Sequence, residues 1–225
     1  IAIEPVYDKI YPFTYLSPAT IAIKDGKYGL LSSDGTTPTG FIYDDIQPLY
    51  TDSSEIYAYM FIQDDLYGVI SNDGTRVLKT PDERKPEGIY KEYSLIKVSV
   101  PNYRDDKNEY GSLYGLIDYK GNTVIPTEHT AIYGISNGII SAQKAYDQCG
   151  YYDLYGNELC EFKYRMVSQF ADGLGFASGE SEGTWFNDVL DIDGNVVFNS
   201  PNWGYGFYSG ISYIDGGRFI DKTGN

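Results

Sequence analysis

Few residues of this chain have types and spacings that could support catalysis. His129 is the only histidine among 225 residues. No other histidine could serve as the base of a Ser-His-Asp triad, and there is no pair of histidines to bind zinc. Aspartate and glutamate together number 32, which leaves hydrolysis by paired carboxylates open as a reaction class. We nevertheless expect no catalytic residue, no metal site and no cofactor.

Aspartates recur at one place in the sequence, three residues before a glycine. They are Asp118, Asp153, Asp191 and Asp221. An Asp side chain can accept hydrogen bonds from backbone amides two residues further on, and the glycine supplies the positive φ that closes a tight turn. The segment DIDGN at 191–195 also lacks the further ligands and the distal Glu of a calcium loop. These carboxylates therefore indicate turns and not catalysis or metal binding.

The same turn pattern occurs six times, each time after two apolar residues. The copies are LLSSDG (30–35), VISNDG (69–74), LIDYKG (116–121), YYDLYG (151–156), VLDIDG (189–194) and FIDKTG (219–224). One strand-like segment precedes each hairpin and a weaker one follows it, and the period is near the roughly 40 residues of a four-stranded propeller blade. The sequence predicts an all-β fold of six antiparallel repeats, with little helix. A propeller-like closed ring is the favoured arrangement, and an open β-hairpin solenoid is the alternative.

The N-terminal segment IAIEPVYDKI has the form of the segments that follow a turn. With Asn225 joined to Ile1, Tyr7 and Ile10 would follow Gly224 by eight and eleven residues, the spacing found after other turns. We therefore expect a single domain over 1–225 whose N-terminal strand completes the last repeat; the alternative is a longer array. The segments PDERKPEG (81–88) and PNYRDDKNEYGS (101–112) are predicted to be surface loops.

Three stretches resemble a known repeat family. They are KDGKYGLLSSDG (24–35), LYGVISNDG (66–74) and LYGLIDYKGNTVIPT (113–127). They are similar to the WG repeat, also called KWG, which is common in bacterial surface proteins. Tyr28-Gly29, Tyr67-Gly68 and Tyr114-Gly115 fit its aromatic-glycine pair, Cys149-Gly150 keeps only the glycine, and the last two copies keep neither. The resemblance implies repeat-built β structure with a binding or scaffolding role, no catalytic residue, and a bacterial extracellular or cell-surface location, with the cytoplasm left open.

Most of the conspicuous side chains are expected to be structural. Tyr28, Tyr67 and Tyr114 should pack between repeats, and His129 stands where other repeats place a tyrosine, which predicts an aromatic packing role. Cys149 and Cys160 flank the fourth hairpin. A three-residue loop that pairs Asp153 with Asn157 would put them on opposite faces; two buried thiols are expected, and a disulfide is the alternative.

The best candidate binding site is NWGYGFYSG at 202–210. Its aromatic residues alternate with Gly204 and Gly206, which predicts ring faces left uncovered beside a loop. The candidate residues are Trp203, Tyr205, Phe207 and Tyr208, with Trp185 nearby in sequence. Exposed aromatic side chains serve protein interfaces and sugar stacking alike.

Charge and hydropathy exclude two classes of partner. The formal net charge is −15 with a pI near 4.3, which disfavours nucleic acid. No apolar run is long enough to insert this segment into a membrane. The sequence thus predicts a non-enzymatic module that binds a protein partner. The alternative is a carbohydrate or cell-envelope binding module that uses exposed Tyr and Trp, and a carboxylate hydrolase is the third class.

Overall fold

The computed structural model describes residues 6–14, 17–51, 55–102 and 111–225. Strands dominate, and helix within these ranges is limited to one 3₁₀ turn at Lys91–Tyr93. The abundance of β-branched residues and tyrosine is the physical reason, because these side chains suit a pleated, half-buried surface. No helix in the described ranges could span a membrane. The all-β prediction with six antiparallel sheets is confirmed.

The chain forms two compact units, Ile1–Thr123 and Val124–Asn225. The strands of the first unit are β1 (Lys9–Ile10), β2 (Ala19–Lys24), β3 (Lys27–Ser32), β4 (Asp45–Tyr50), β5 (Ile56–Gln63), β6 (Leu66–Ser71), β7 (Val77–Asp82), β8 (Lys85–Tyr90), β9 (Leu95–Asn102) and β10 (Gly111–Asp118). The first sheet has the order β1-β2-β3, the second β4-β5-β6-β7, and the third contains β8, β9 and β10. A single domain over 1–225, and the choice between ring and solenoid, stay predictions.

The second unit repeats this organisation. Its strands are β11 (Thr123–His129), which begins at the unit boundary, β12 (Ala131–Ser136), β13 (Ile139–Ala145), β14 (Gln148–Tyr152), β15 (Met166–Val167), β16 (Leu174–Ser181), β17 (Thr184–Asp191), β18 (Val196–Asn199), β19 (Gly204–Tyr208), β20 (Ile211–Ile214) and β21 (Arg218–Asp221). The fourth sheet is β12-β13-β14, the fifth β15-β16-β17-β18 and the last β19-β20-β21. Each sheet thus holds the three or four strands that the repeat predicts.

Within the second unit, neighbouring sheets pack face to face. Successive residues of a strand point to opposite faces, so Ala177 of β16 faces Tyr151 of the fourth sheet while Phe176 faces the last sheet. The last sheet covers this side with Phe207, Ile214 and Ile220, all buried. The central part of the fifth sheet is therefore buried on both faces. In the first unit, Ile21, Leu30, Ile46, Tyr59 and Phe61 fill the space between the first two sheets in the same way.

All six predicted turns are present. In each turn the glycine has positive φ and its N–H donates to the carbonyl oxygen three residues earlier; the glycines are Gly35, Gly74, Gly121, Gly156, Gly194 and Gly224. The aspartate role is also confirmed, since Asp118 Oδ1 accepts the backbone N–H of Lys120 at 2.8 Å and of Asn122 at 2.9 Å. Local sequence thus fixes the hairpins that carry each repeat.

A second set of turns, which was not predicted from sequence, joins neighbouring strands of several sheets. These two-residue turns have positive φ at both positions, at Asp25-Gly26, Asp64-Asp65, Asn137-Gly138, Glu182-Gly183 and Ser209-Gly210. Positive φ at both residues is the type I′ geometry that matches strand twist, and Asn-Gly or Asp-Gly is its usual signal. The signal is present in the sequence at Asp25-Gly26 and Asn137-Gly138.

The aromatic-glycine pairs have a packing reason. Gly68 on β6 lies opposite Phe61 on β5, and a Cβ at Gly68 would overlap the Phe61 ring. In the same way, a Cβ at Gly150 would overlap the Phe162 ring. The glycine of the motif thus lets an aromatic ring lie flat on the backbone, which a side chain would prevent.

The structure corrects one of the two predicted surface loops, and most of the other lies outside the described residues. PDERKPEG is not a loop, because β7 reaches Asp82 and β8 begins at Lys85. A register shift between Pro86 and Gly88 accommodates the proline. Residues 103–110 of the other predicted loop are outside the described ranges, and so are residues 1–5 of the N-terminal segment. The described part of that segment, β1, pairs with β2.

Candidate binding surface

His129 is buried and fully engaged in the second unit. Its Nδ1 lies 3.1 Å from the Pro126 carbonyl oxygen and its Nε2 2.8 Å from the Tyr152 hydroxyl. Because a carbonyl only accepts, Nδ1 carries the proton and Nε2 accepts from Tyr152. Burial lowers the pKa of His129, and its ring contacts Tyr152 and Phe162 edge-on. The predicted aromatic packing role is confirmed.

The two cysteines are free thiols. Cys149 is buried, and its Sγ lies 3.3 Å from the Arg165 carbonyl oxygen. Asp153 pairs with Asn157 through a backbone bond of 3.0 Å, as the three-residue loop requires. Burial raises the pKa of both thiols. Cys149 is a small buried side chain, and Cys160 is partly buried against the same core cluster.

Lys79 is the most deeply buried cation among the described residues. Its ammonium donates to the Tyr67 carbonyl oxygen at 2.6 Å and to Asp82 Oδ1 at 2.8 Å. Arg84 also bonds Asp82, through Nη2 at 2.6 Å. Burial lowers the pKa of Lys79 while Asp82 opposes the change. These partners satisfy a buried charge, which is a structural role.

The five predicted binding residues are not brought together. Tyr205 and Tyr208 are exposed on β19, as predicted. Trp185 is also exposed, but its ring lies under the Arg165 guanidinium at 4.9 Å on the fifth sheet, and Glu180 stands opposite it on β16. Trp185 therefore belongs to a separate cation–π contact.

The prediction of uncovered ring faces is wrong for Phe207 and Trp203, because both rings pack against the core. Phe207 is 0% exposed and stacks on Phe176, with ring centroids 5.3 Å apart and planes 6° from parallel. Trp203 is half-buried and packs against the same Phe176. Gly204 leaves no ring open, because a Cβ there would overlap the Phe176 ring. The glycine makes room for the core and not for a ligand.

Three exposed aromatic rings form a row across the outer face of the last sheet. Tyr205 on β19, Tyr213 on β20 and Phe219 on β21 are 60%, 46% and 68% exposed. The Tyr205 and Tyr213 ring centroids are 6.2 Å apart, and those of Tyr213 and Phe219 are 5.5 Å apart with planes 63° from parallel. Tyr213 and Phe219 are direct cross-strand partners. We call these three residues the aromatic ladder.

The ladder is anchored at one end by a hydrogen bond. The Tyr205 hydroxyl donates to Asp215 Oδ1 at 3.0 Å, and this bond raises the pKa of Tyr205. Tyr213 and Phe219 were not among the residues predicted from sequence. Their signal was the turn at Gly216-Gly217, because closing it pairs Ile214 with Arg218 and hence Tyr213 with Phe219.

A cleft of about 410 Å³ lies beside β19. Tyr205 and Tyr208 form its aromatic walls, and Phe170 and Phe207 close its floor. Its polar rim comes from Asn137, Gln169 and Asp172, which belong to connecting segments of other repeats. No pattern in the sequence marks these three residues, because only the packing of sheets in the second unit brings them together.

The first unit has a groove of about 560 Å³ between its first two sheets. Tyr11, Pro12, Pro48 and Tyr50 line it. The buried Tyr59 hydroxyl beneath it donates to the Ala19 carbonyl oxygen at 2.8 Å. Residues 15–16 and 52–54, which adjoin the groove in sequence, are outside the described ranges.

Two segments of the chain match a known protein family. Residues 1–28 and 114–145 match the family described as "WG containing repeat". The resemblance to WG repeats is confirmed. The second matched segment includes the aromatic-glycine pair Tyr114-Gly115, and the first ends at Tyr28 of the pair Tyr28-Gly29. No curated protein matches the chain.

Several solved structures are similar to this chain at low identity. A eukaryotic initiation factor matches with a TM-score of 0.44 and 15% identity over 85% of this chain, which spans 55% of that structure. The β-propeller domain of the Trilobed protease from Pyrococcus furiosus, described as having an open velcro topology, matches with a TM-score of 0.35 and 14% identity over 92% of this chain and 76% of that one. Hsv2 from Kluyveromyces lactis matches with a TM-score of 0.37 and 11% identity over 94% and 74%. At these TM-scores the likenesses carry no statement about function.

Proposed function

We propose that this protein is a non-enzymatic interaction module and that its second unit binds a protein partner through the aromatic ladder. The carrying observation is the row of three exposed, mutually contacting rings on one face of a sheet whose other face is core. Exposed apolar patches mark interaction sites, and tyrosine is enriched among the few residues that contribute most of the binding energy at interfaces. The WG-repeat likeness supports a binding or scaffolding role, and an extracellular or cell-surface location in a bacterium is part of the same proposal.

The geometry favours a protein over a glycan at this face. The Tyr205 and Tyr213 planes are 24° apart, but Phe219 is turned 63° from Tyr213, so the three rings do not form one flat platform along which a glycan chain could stack. The net charge of −15 favours a partner whose apolar patch is bordered by Lys or Arg, and such a complex should associate more slowly at high salt.

The test is a capture experiment with matched variants. Wild-type protein, the ladder variant Tyr213→Thr/Phe219→Thr and the control Val196→Thr/Val197→Thr on β18 are immobilised and exposed to soluble and envelope extracts. Threonine keeps the strand propensity, and both control valines are about half exposed. We expect a partner that protease treatment removes, that glycosidase treatment leaves, and that only the ladder variant fails to retain. Equal retention by all three proteins would refute the proposal.

A further inference from the structure

The cleft beside β19 combines an aromatic wall with polar groups that are already held in place. Tyr208 is 71% exposed, so its ring is available to a ligand. A Cβ at Gly206 would lie 3.6 Å from Tyr208 Cε2 and from the Ala171 Cβ, which places the ring next to the cleft floor. Gly206 has φ +105°, a conformation that other residues rarely adopt. The backbone geometry that turns Tyr208 towards the cleft therefore depends on this glycine.

The rim of the cleft is fixed by hydrogen bonds to backbone groups. Asp172 Oδ2 accepts the Gly210 N–H at 2.7 Å, and Lys222 Nζ donates to the Asp172 carbonyl oxygen at 2.6 Å. Asn137 Nδ2 donates to the Phe170 carbonyl oxygen at 3.1 Å. These bonds hold the Asp172 carboxylate and the Asn137 amide in position before any ligand arrives.

The same rim retains unused hydrogen-bonding capacity. Among the described residues, no group bonds Asp172 Oδ1, Asn137 Oδ1 or the Gln169 side-chain amide. Together they offer two acceptors and an amide that both donates and accepts. A ligand with several adjacent hydroxyl groups could bond all three while lying against the aromatic wall.

We infer that this cleft binds a neutral saccharide unit. The C–H face of a sugar ring packs on an aromatic face, and its adjacent hydroxyl groups suit carboxylate and amide partners. The volume of about 410 Å³ lies at the small end of ligand sites, which typically span roughly 300–1,000 Å³. Asp172 in the rim and the net charge of −15 disfavour acidic sugars. This site is additional to the proposed protein contact, and only Tyr205 belongs to both.

The test uses glucose, galactose, mannose, N-acetylglucosamine and the disaccharides cellobiose, lactose and chitobiose as probes. Binding to wild-type protein is detected by ligand-observed NMR and quantified by calorimetry. We expect at least one probe to bind, and Tyr208→Ala and Gln169→Ala each to weaken it by roughly tenfold, the loss of about one good contact. Tyr208→Phe keeps the ring and should retain most of the affinity. Tyr155→Ala, at an exposed tyrosine outside the cleft, is the control.

The outcomes separate this inference from the proposed protein contact. Failure of every probe to bind, or equal binding by wild type, Tyr208→Ala and Gln169→Ala, would overturn the saccharide site while leaving ladder-dependent capture unaffected. The ladder variant Tyr213→Thr/Phe219→Thr should bind the saccharide as wild type does. Thermal melting of each variant confirms that lost binding is not lost folding.

Discussion

At the scale of single residues, hydrogen bonds decide what the one imidazole of this chain does. His129 accepts from the Tyr152 hydroxyl and donates to the Pro126 carbonyl oxygen, so protonation of Nε2 would replace an acceptor with a second donor. Burial also lowers the pKa of His129. Because its pKa is lower in the folded than in the unfolded state, the folded state binds fewer protons as the pH falls through the ordinary histidine range. Stability must therefore decrease in that range.

The lowered pKa of His129 predicts how stability depends on pH. We expect the free energy of unfolding of wild-type protein to fall as the pH drops below about 6.5, by about 1.4 kcal/mol for each unit by which the pKa is lowered. His129→Gln keeps a donor and an acceptor but does not titrate, so its stability should vary less over that range. Denaturant unfolding across the range measures both. Parallel pH curves for wild type and His129→Gln would contradict the hydrogen-bond assignment.

Gly68 gives a packing prediction at the same scale. A Cβ at this position would overlap the buried Phe61 ring, whereas a Cβ at Gly88 would have no atom within 4 Å. We expect Gly68→Ala to destabilise the protein by about 1–3 kcal/mol, the usual cost of overpacking, and Gly88→Ala to change stability by less than about 0.5 kcal/mol. Thermal or denaturant unfolding compares the two. A similar effect of both substitutions would show that contact with the Phe61 ring is not the reason why position 68 requires glycine.

At the scale of elements, the type I′ turns can be exchanged between repeats. The turn between β5 and β6 has Asp65 at φ 62°, where the corresponding turn between β2 and β3 has Gly26 at φ 74°. A side chain is disfavoured in this left-handed region. We expect Asp65→Gly to raise the melting temperature and the reverse change, Gly26→Asp, to lower it, each by the equivalent of about 1 kcal/mol. Opposite signs from these would show that the turns are not equivalent.

The hairpins were predictable from sequence, but the exposure of β19 was not. Regular alternation would place Tyr205 and Phe207 on one face, yet Tyr205 is exposed and Phe207 is buried. The pairing of β19 with β20 is irregular between Gly204 and Phe207, where Gly206 has positive φ. A bulge of this kind reverses the faces downstream of it, and glycine in a strand is compatible with a bulge without specifying one. The ladder partner Phe219 could have been predicted from the Gly216-Gly217 turn.

At the scale of the whole molecule, the repeated aspartate turns make stability sensitive to acid. A hydrogen bond from the Asn195 backbone lowers the pKa of Asp191, and one from the Thr223 hydroxyl lowers that of Asp221. A lowered folded-state pKa contributes stability that is present above the ordinary carboxyl range and is lost as the pH falls through the folded-state value. The same turn recurs in both units, so the effects should add.

We therefore expect the free energy of unfolding to decline steeply below about pH 4. Asp191→Asn keeps the acceptor oxygen for the two backbone amides but carries no charge, so the variant should lose less stability than wild type on acidification. Denaturant unfolding at a series of acidic pH values makes the comparison. An unchanged acid dependence in Asp191→Asn would mean that the turn carboxylates are not the titrating groups. Sequence located these turns correctly, whereas the cleft required residues from separate repeats and no local pattern could assemble it.

The central claim is that the aromatic ladder contacts a protein. The most direct measurement places the photoreactive residue p-benzoylphenylalanine at position 219 in one sample and at position 197, an exposed site on β18, in another. Each is irradiated in an extract of the source organism and examined for protease-sensitive adducts of higher mass. A discrete adduct from position 219 that is missing from position 197 is the predicted result. No adduct at 219, or the same adducts from both positions, would contradict the account.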